Sequence, residues 1–112
     1  MKRDPSARVC IIGAGISGIT AAKNLIQVGL TNVVVYEKSD QIGGNWVFSL
    51  KPSQSSVFET THIISSKTMS EFADYPMPAD YPDYPSHKQM LAYFQNYTQH
   101  FGIESYIRLI LK

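Results

Sequence analysis

The sequence has little cysteine and little net charge. The chain of 112 residues has a single cysteine, Cys10, so it can form neither an internal disulfide nor a cysteine-rich metal site. Ten basic residues against nine acidic ones leave a formal net charge of +1, and the basic residues are spread along the whole chain. Such a chain lacks the concentrated positive charge that attracts nucleic acids or anionic membranes. We therefore expect a protein of the reducing cytoplasm that does not bind nucleic acid.

Long apolar runs and clusters of metal ligands are absent as well. The polar opening at residues 1–6 leads into an apolar run of only four residues, too short for a signal peptide or a membrane segment. The three histidines are far apart and have no thiol or carboxylate at ligand spacing, so no metal site is predicted. We expect His87 to be a solvated helix residue. With 44% apolar residues, the chain has the composition of about one ordered globular domain.

The amino-terminal third of the chain has the pattern of a β-α-β unit. The continuous apolar run Val9–Ile12 is typical of a strand buried on both faces of a parallel sheet, which would make Cys10 an inert core residue. Apolar residues at helical spacing follow as far as Gly29, and the β-branched run Val33–Tyr36 then predicts a second buried strand. This unit, over residues 8–37, indicates an α/β protein with a Rossmann-type FAD/NAD(P)-binding fold and a parallel sheet.

The rest of the chain divides into two segments. Residues 38–85 lack periodicity and hold four of the six prolines in their second half. The three Tyr-Pro pairs there could form a low-complexity binding tract, but their aromatic side chains favour an ordered segment packed on the domain, with solvated aspartates at its edge. Residues 86–112 predict a helix with a Ser86-x-x-Gln89 capping box that ends at Gly102, and then a strand. Because that strand runs to the last residue, we expect the sequence to be part of a longer domain.

Gly13, Gly15 and Gly18 form a Gly-x-Gly-x-x-Gly motif between the first strand and the first helix. The motif alone is weak evidence, but its place inside a β-α-β unit favours a dinucleotide site over a turn without a ligand. The first glycine permits a tight turn, the second leaves room for a diphosphate, and the third lets the helix pack closely. The unpaired amides that open the helix point at such an anion.

Glu37 ends the second strand about 20 residues after the last glycine of the motif. Its carboxylate can accept hydrogen bonds from both hydroxyls of an adenosine ribose and would repel a 2′-phosphate, so the ligand is FAD or NAD rather than NADP. The following Gly43-Gly44-Asn45-Trp46 favours FAD, because a simple NAD-binding unit would continue into a second helix, whereas a Gly-Gly pair allows close approach to an extended ligand. Trp46 either lies beside the flavin or is an ordinary packed aromatic.

The chain resembles the flavin-containing monooxygenases from about Arg8 to its end. The motifs that carry the resemblance are Gly13-Ala14-Gly15-Ile16-Ser17-Gly18, the strand-end Glu37, Ile42-Gly43-Gly44-Asn45-Trp46-Val47-Phe48, Ser66-Lys67-Thr68-Met69, and Tyr75-Pro76-Met77-Pro78 leading to Asp80-Tyr81-Pro82. The glycine motif is common to many FAD enzymes, whereas the later stretches are more specific. Baeyer–Villiger monooxygenases usually have an Arg-Tyr-Pro-Gly segment that is absent here, and disulfide reductases need a pair of redox cysteines.

The resemblance implies a set of cofactor-binding residues and no catalytic side chain. The set comprises the diphosphate turn Gly13, Ala14, Gly15, Ile16, Ser17 and Gly18, the ribose-binding Glu37 with the adjacent Lys38, and Gly44, Asn45, Trp46 and Ser65 along or beside the flavin. It also implies that NADPH reduces the FAD and that O2 then forms a C4a-hydroperoxyflavin. This species passes an oxygen atom to a soft nucleophile, such as an amine nitrogen or a sulfide, so the chemistry belongs to the cofactor.

An NADPH-binding motif is missing from the sequence, since no second Gly-x-Gly-x-x-Gly follows Gly18. We therefore expect the isolated chain to be inactive or nearly so, with NADPH, O2 and a small-molecule substrate used by a full-length form. The alternatives are a truncated, non-catalytic module that binds FAD or another adenine dinucleotide, and a fragment of an NAD-dependent dehydrogenase. Ile64 stands where the family commonly has an asparagine near the flavin, and because it cannot donate a hydrogen bond we expect a leaky, oxidase-like tendency.

Overall fold

A computed structural model of the chain describes residues 6–50 and 56–110. Its regular elements are the strands β1 (Val9–Ile12), β2 (Val33–Glu37) and β3 (Ile107–Leu109) and the helices α1 (Ile16–Gln27), α2 (Lys67–Ser70) and α3 (His87–His100). Short 3₁₀ turns lie at Gly44–Trp46 and Glu104–Tyr106. The strands and long helices begin and end close to where the hydrophobic pattern predicts them, whereas the single turn of α2 has no counterpart in that pattern.

The three strands form one parallel sheet in the order β1-β2-β3. Val9 of β1 lies opposite Val33 of β2, and Val35 of β2 lies opposite Ile107 of β3. Parallel neighbours require crossover connections, and α1 supplies the first of them. A third strand that pairs with the second, on the side away from the first, is the order in which a Rossmann-type sheet begins. The predicted α/β fold class is therefore confirmed.

Within the described residues, one face of the sheet is covered and the other is open. Val33 and Val35 are buried against the helices, in a core cluster completed by Ala14, Ile19, Ala22, Tyr97 and Ile103. On the opposite face Cys10 is exposed, Ile12 is 81% exposed and Tyr36 is 42% exposed. The prediction that β1 is buried on both faces, with Cys10 in the core, is wrong for the described residues, because both long helices pack on the same side.

The proline-rich segment packs on the domain, as its aromatic content predicts. Met77 is buried in a second core cluster, against which Tyr75 and Tyr81 pack. Asp74 is exposed, as the predicted solvated acidic edge requires, and its carboxylate also accepts a hydrogen bond from the buried ammonium group of Lys23 on α1. This hydrogen bond lowers the pKa of Asp74. The segment is therefore attached to α1 as well as to α3.

Helix α3 begins with the predicted capping box. The Ser86 hydroxyl accepts a hydrogen bond from the Gln89 amide, and the Gln89 side chain accepts one from the Ser86 amide. The prediction that His87 is solvated is wrong, since this side chain is 2% exposed. Its Nε2 atom lies 3.0 Å from the carbonyl oxygen of Glu59. The loop that contains Glu59 therefore folds back over the first turn of α3 and covers the His87 ring.

Neither a membrane-spanning helix nor a metal-binding group is found within residues 6–50 and 56–110. The helices described there are too short or too polar to cross a bilayer. No set of three histidine, cysteine, aspartate or glutamate residues in those ranges comes together in a way that could hold a metal ion.

The exposed position of Cys10 predicts a reactive thiol in the folded 112-residue chain. We expect Ellman's reagent to modify this cysteine without denaturant, because accessibility limits thiol reaction in a folded protein. The measurement is the absorbance of the released thionitrobenzoate, and Cys10→Ser should release none. A thiol that reacts only after denaturant is added would contradict the open face of the sheet.

Candidate functional site

The glycine turn between β1 and α1 is built from backbone alone. Gly13 has a φ of +99°, a conformation that side chains disfavour, and its amide donates a 2.7 Å hydrogen bond to the carbonyl of Tyr36. Helix α1 begins directly after Gly15, and no described side chain caps its first amides. Its first turn contains no acidic residue. Free amide groups and the positive end of the helix dipole make this turn suitable for an anion.

Gly18 sets how closely α1 approaches the turn. A Cβ atom at this position would lie 1.9 Å from the carbonyl oxygen of Gly13, a distance that no real contact allows. Gly15 differs, because a Cβ atom there would meet only the Gly44 Cα atom, at 3.6 Å, which is ordinary contact. The third glycine of the motif is therefore required by packing, whereas the second leaves a free surface at the turn.

The Gly-Gly pair that follows β2 lies directly against this turn. Gly43 donates a 2.9 Å hydrogen bond from its amide to the carbonyl of Ala14. Gly44 has a φ of +57°, and a Cβ atom on it would lie 2.8 Å from the Cα atom of Gly15. A side chain on Gly43 would displace Leu91 of α3, since a Cβ atom would lie 2.3 Å from the Leu91 Cδ1 atom. Two glycine segments far apart in the sequence thus meet backbone to backbone.

A cavity of about 270 Å³ opens between these two segments. It is lined by Ile12, Gly13, Gly15, Ile16, Ser17, Gly18, Gly43, Gly44, Asn45 and Trp46. Most of the residues predicted from the sequence therefore lie together, although Ile12 was missed because an apolar strand end carries no binding signal. A larger cavity of about 600 Å³ lies elsewhere, between α3, β3 and residues 40–42, and the glycine turn does not line it.

Glu37 lies behind the turn and holds it in place. Its Oε1 atom accepts a 2.8 Å hydrogen bond from the Ala14 amide, and its Oε2 atom accepts a 2.9 Å hydrogen bond from the Ser39 amide. Burial by itself raises the pKa of this carboxyl, but the two amide donors outweigh burial and the pKa lies below its ordinary value. Glu37 is thus a carboxylate at neutral pH, and each oxygen retains acceptor capacity for a further donor.

The other predicted residues lie outside the cavity lining. Ala14 is 0% exposed; its N–H donates to Glu37, and its carbonyl accepts from Gly43. Lys38 follows Glu37 with an exposed side chain. Ser65 is exposed, and its hydroxyl is hydrogen-bonded to that of Ser70. Ile64, beside it, is 98% exposed. The structure therefore brings the glycine segments and Glu37 together, but it does not bring Lys38 or Ser65 to the cavity wall.

The lowered pKa of Glu37 predicts how stability depends on pH. A carboxyl whose pKa falls on folding, from an ordinary value of 4.5, stabilises the protein above that value and loses the contribution as the pH falls through the folded pKa. We expect Glu37→Gln to lower the free energy of unfolding at neutral pH by about 1–3 kcal/mol, because the amide side chain leaves one N–H donor unpaired. Urea unfolding followed by circular dichroism measures the difference, which should shrink in acid. A difference that is constant down to the acid limit would contradict this role.

Comparison with known proteins identifies the family of the chain. The family model described as Flavin-binding monooxygenase-like matches residues 6–111. The chain is 39% identical over 103 residues to Flavin-containing monooxygenase 5 of Rattus norvegicus, an alignment that covers 90% of this chain and 19% of the relative. The chain thus spans about a fifth of the length of the curated relatives that it matches.

Solved structures share the fold. The S-allyl-L-cysteine S-oxygenase of Allium sativum superposes with a TM-score of 0.82 at 25% identity, over 92% of this chain and 27% of that one. A steroid monooxygenase bound to NADP superposes with a TM-score of 0.75 at 22% identity, over 94% of this chain and 19% of that one, which shows the fold alone. The family match over nearly all of the sequence shows that the chain belongs to the flavin-binding monooxygenase-like family.

Proposed function

We infer that these residues are the amino-terminal FAD-binding portion of an NADPH-using monooxygenase that oxygenates soft nucleophiles. The observation that carries this inference is the cavity between the two glycine segments, with the start of α1 on one side and the Gly43-Gly44 backbone on the other. The family is flavin-binding, and an S-oxygenase shares the fold. Sulfides and amine nitrogens are therefore the proposed substrates of the whole protein.

The residues present fit FAD at its diphosphate and ribose. The free amides at the start of α1 would bind the diphosphate, and Gly15 would allow its oxygens to come close to the backbone. The ionised Glu37 would accept hydrogen bonds from ribose hydroxyls with the acceptor capacity that Ala14 and Ser39 leave free. Its charge would disfavour a 2′-phosphate, so NADPH is proposed to bind a part of the protein outside these residues.

FAD, when bound, supplies the redox and oxygen chemistry, and this chain supplies binding and shielding. Trp46 and Asn45 line the cavity beside the glycine segments, where they would exclude water from one side of the cofactor. Lys38 and Ser65 are proposed as outer contacts, since FAD extends beyond a cavity of this size. We propose that the 112-residue chain binds FAD without turning over substrate. The single cysteine favours a reducing cytoplasm as its location.

Variants of Gly15 and Gly18 test the site. Gly15→Ala should leave the free energy of unfolding nearly unchanged, because the added Cβ meets only an ordinary contact, but it should weaken FAD binding by narrowing the diphosphate surface. Gly18→Ala should destabilise the fold, because its Cβ would collide with the Gly13 carbonyl. FAD binding is measured by calorimetric titration, and unfolding by urea.

The matched control is Gly102→Ala. Gly102 has a φ of +68°, and no atom lies within 4 Å of a Cβ added there. It should lose about 1 kcal/mol of stability and keep full FAD affinity. NADP⁺ should not compete with FAD. Equal FAD affinity in wild type and Gly15→Ala, or no FAD binding by wild type, would refute the proposed site.

Ile64 is proposed to decrease the coupling between NADPH oxidation and oxygenation in a longer form that carries the NADPH unit. Its branched side chain is 98% exposed and cannot donate a hydrogen bond. Ile64→Asn restores a donor, so we expect a smaller share of the oxidised NADPH to appear as hydrogen peroxide. Peroxide and NADPH are measured together, with Ile64→Val as the apolar control. An Asn variant that releases as much peroxide as the Val variant would contradict the proposal.

A further inference from the structure

A chain of aromatic rings runs from the cavity into the core. Trp46 lies 6.1 Å from Phe94, Phe94 lies 5.6 Å from Tyr93, and Tyr93 lies 5.7 Å from Tyr75, all between ring centroids. Tyr75 then lies 4.9 Å from the ring of His100, an exposed residue in the last turn of α3. These rings, from Trp46 to Tyr75, are called the aromatic chain below.

The two ends of the aromatic chain have different surroundings. Trp46 lines the cavity and is the only tryptophan in the sequence. Tyr75 is half-buried beside the exposed His100. Tyr93, between them, is 1% exposed. The aromatic chain therefore runs from the proposed cofactor cavity to a half-buried tyrosine beside the exposed His100.

The hydrogen bonds of the tyrosines determine which of them can hold a stable radical. A phenol that loses one electron also loses its proton, so a stable tyrosyl radical needs a proton acceptor. The Tyr93 hydroxyl donates to the carbonyl oxygen of Tyr75 and accepts from the Phe72 amide. A backbone carbonyl does not take up the proton, and burial raises the pKa of Tyr93. Oxidation of Tyr93 is thus transient, whereas Tyr75 is half-buried and lies beside the exposed His100.

Tyr97, a neighbour of Tyr75, is not a second end point for this path. Tyr97 contacts Phe72 at 4.4 Å and Tyr75 at 5.8 Å, between ring centroids. It is 1% exposed, and burial raises its pKa to about 12. A radical on Tyr97 would keep its proton in the core, so the path through Tyr93 ends at Tyr75.

We propose that the aromatic chain carries oxidising equivalents from the cofactor cavity to the protein surface. A one-electron oxidant in the cavity, such as a photoexcited flavin, takes one electron from Trp46 and is reduced by it. This leaves a tryptophan radical cation. An electron from Tyr75 then passes through Tyr93, across the contact made by Phe94, and reduces the radical cation to neutral tryptophan. Tyr75 is oxidised and releases its phenolic proton to water. A role for this electron transfer beside a bound flavin rests on the proposed FAD site, but the transfer along the rings does not.

Pulse radiolysis with azide radicals tests the transfer in the 112-residue chain without FAD. The azide radical takes one electron from an indole and becomes azide ion, so the initial radical signal reports the single tryptophan, Trp46. In wild type we expect the tryptophan radical absorbance to decay as the tyrosyl absorbance grows, at a rate independent of protein concentration. The absence of FAD means that failure of the proposed function and failure of the aromatic chain can be distinguished.

Variants identify the path. Tyr75→Phe should abolish the intramolecular tyrosyl growth, and Tyr93→Phe should abolish or strongly slow it. The matched control is Tyr36→Phe, because Tyr36 lies on the open face of the sheet, outside the aromatic chain, and the change should leave the kinetics as in wild type. Circular dichroism verifies folding, and Tyr75→Phe decides the result if Tyr93→Phe does not fold. Unchanged tyrosyl growth in Tyr75→Phe, or growth that depends on protein concentration in wild type, would overturn the proposal.

Discussion

The two backbone hydrogen bonds of Ala14 are the interaction on which the candidate site depends. Its N–H donates to Glu37 at the end of β2, and its carbonyl accepts from Gly43 in the loop beyond. Three segments of the chain are therefore held together by the backbone of one buried residue. A buried N–H or C=O group that lost its partner would cost free energy, so the two hydrogen bonds define one arrangement of the turn. Glu37 consequently has a structural role that is independent of any ribose.

Helix α3 belongs to the site although it lines none of the glycine cavity. Leu91 fills the space where a side chain of Gly43 would lie, and Phe94 packs against Trp46. The two contacts position the Gly-Gly loop against the glycine turn. Because protein interiors are closely packed, a change in either contact would strain the loop. The cavity is therefore defined by the aromatic core as well as by the glycine motif.

The errors of sequence reasoning have a common cause. The apolar run of β1 indicates burial but does not say which elements cover it, and in the described residues both long helices pack on the face opposite Cys10. His87 occupies the first turn of a helix, a position that is often solvated, yet the loop at Glu59 covers it. Each outcome depends on a partner distant in the sequence.

The sequence by itself determined the strands, the two long helices and the glycine turn between β1 and α1. Helical spacing, β-branched runs, the capping box at Ser86 and the glycine spacing are all local patterns, and local backbone preference is enough to place them. Only the tertiary structure decided that Gly43 and Gly44 meet the glycine turn, that Leu91 holds them there, and that Lys38 and Ser65 lie away from the cavity. Those relations follow from packing between distant segments, whose energy no local pattern contains.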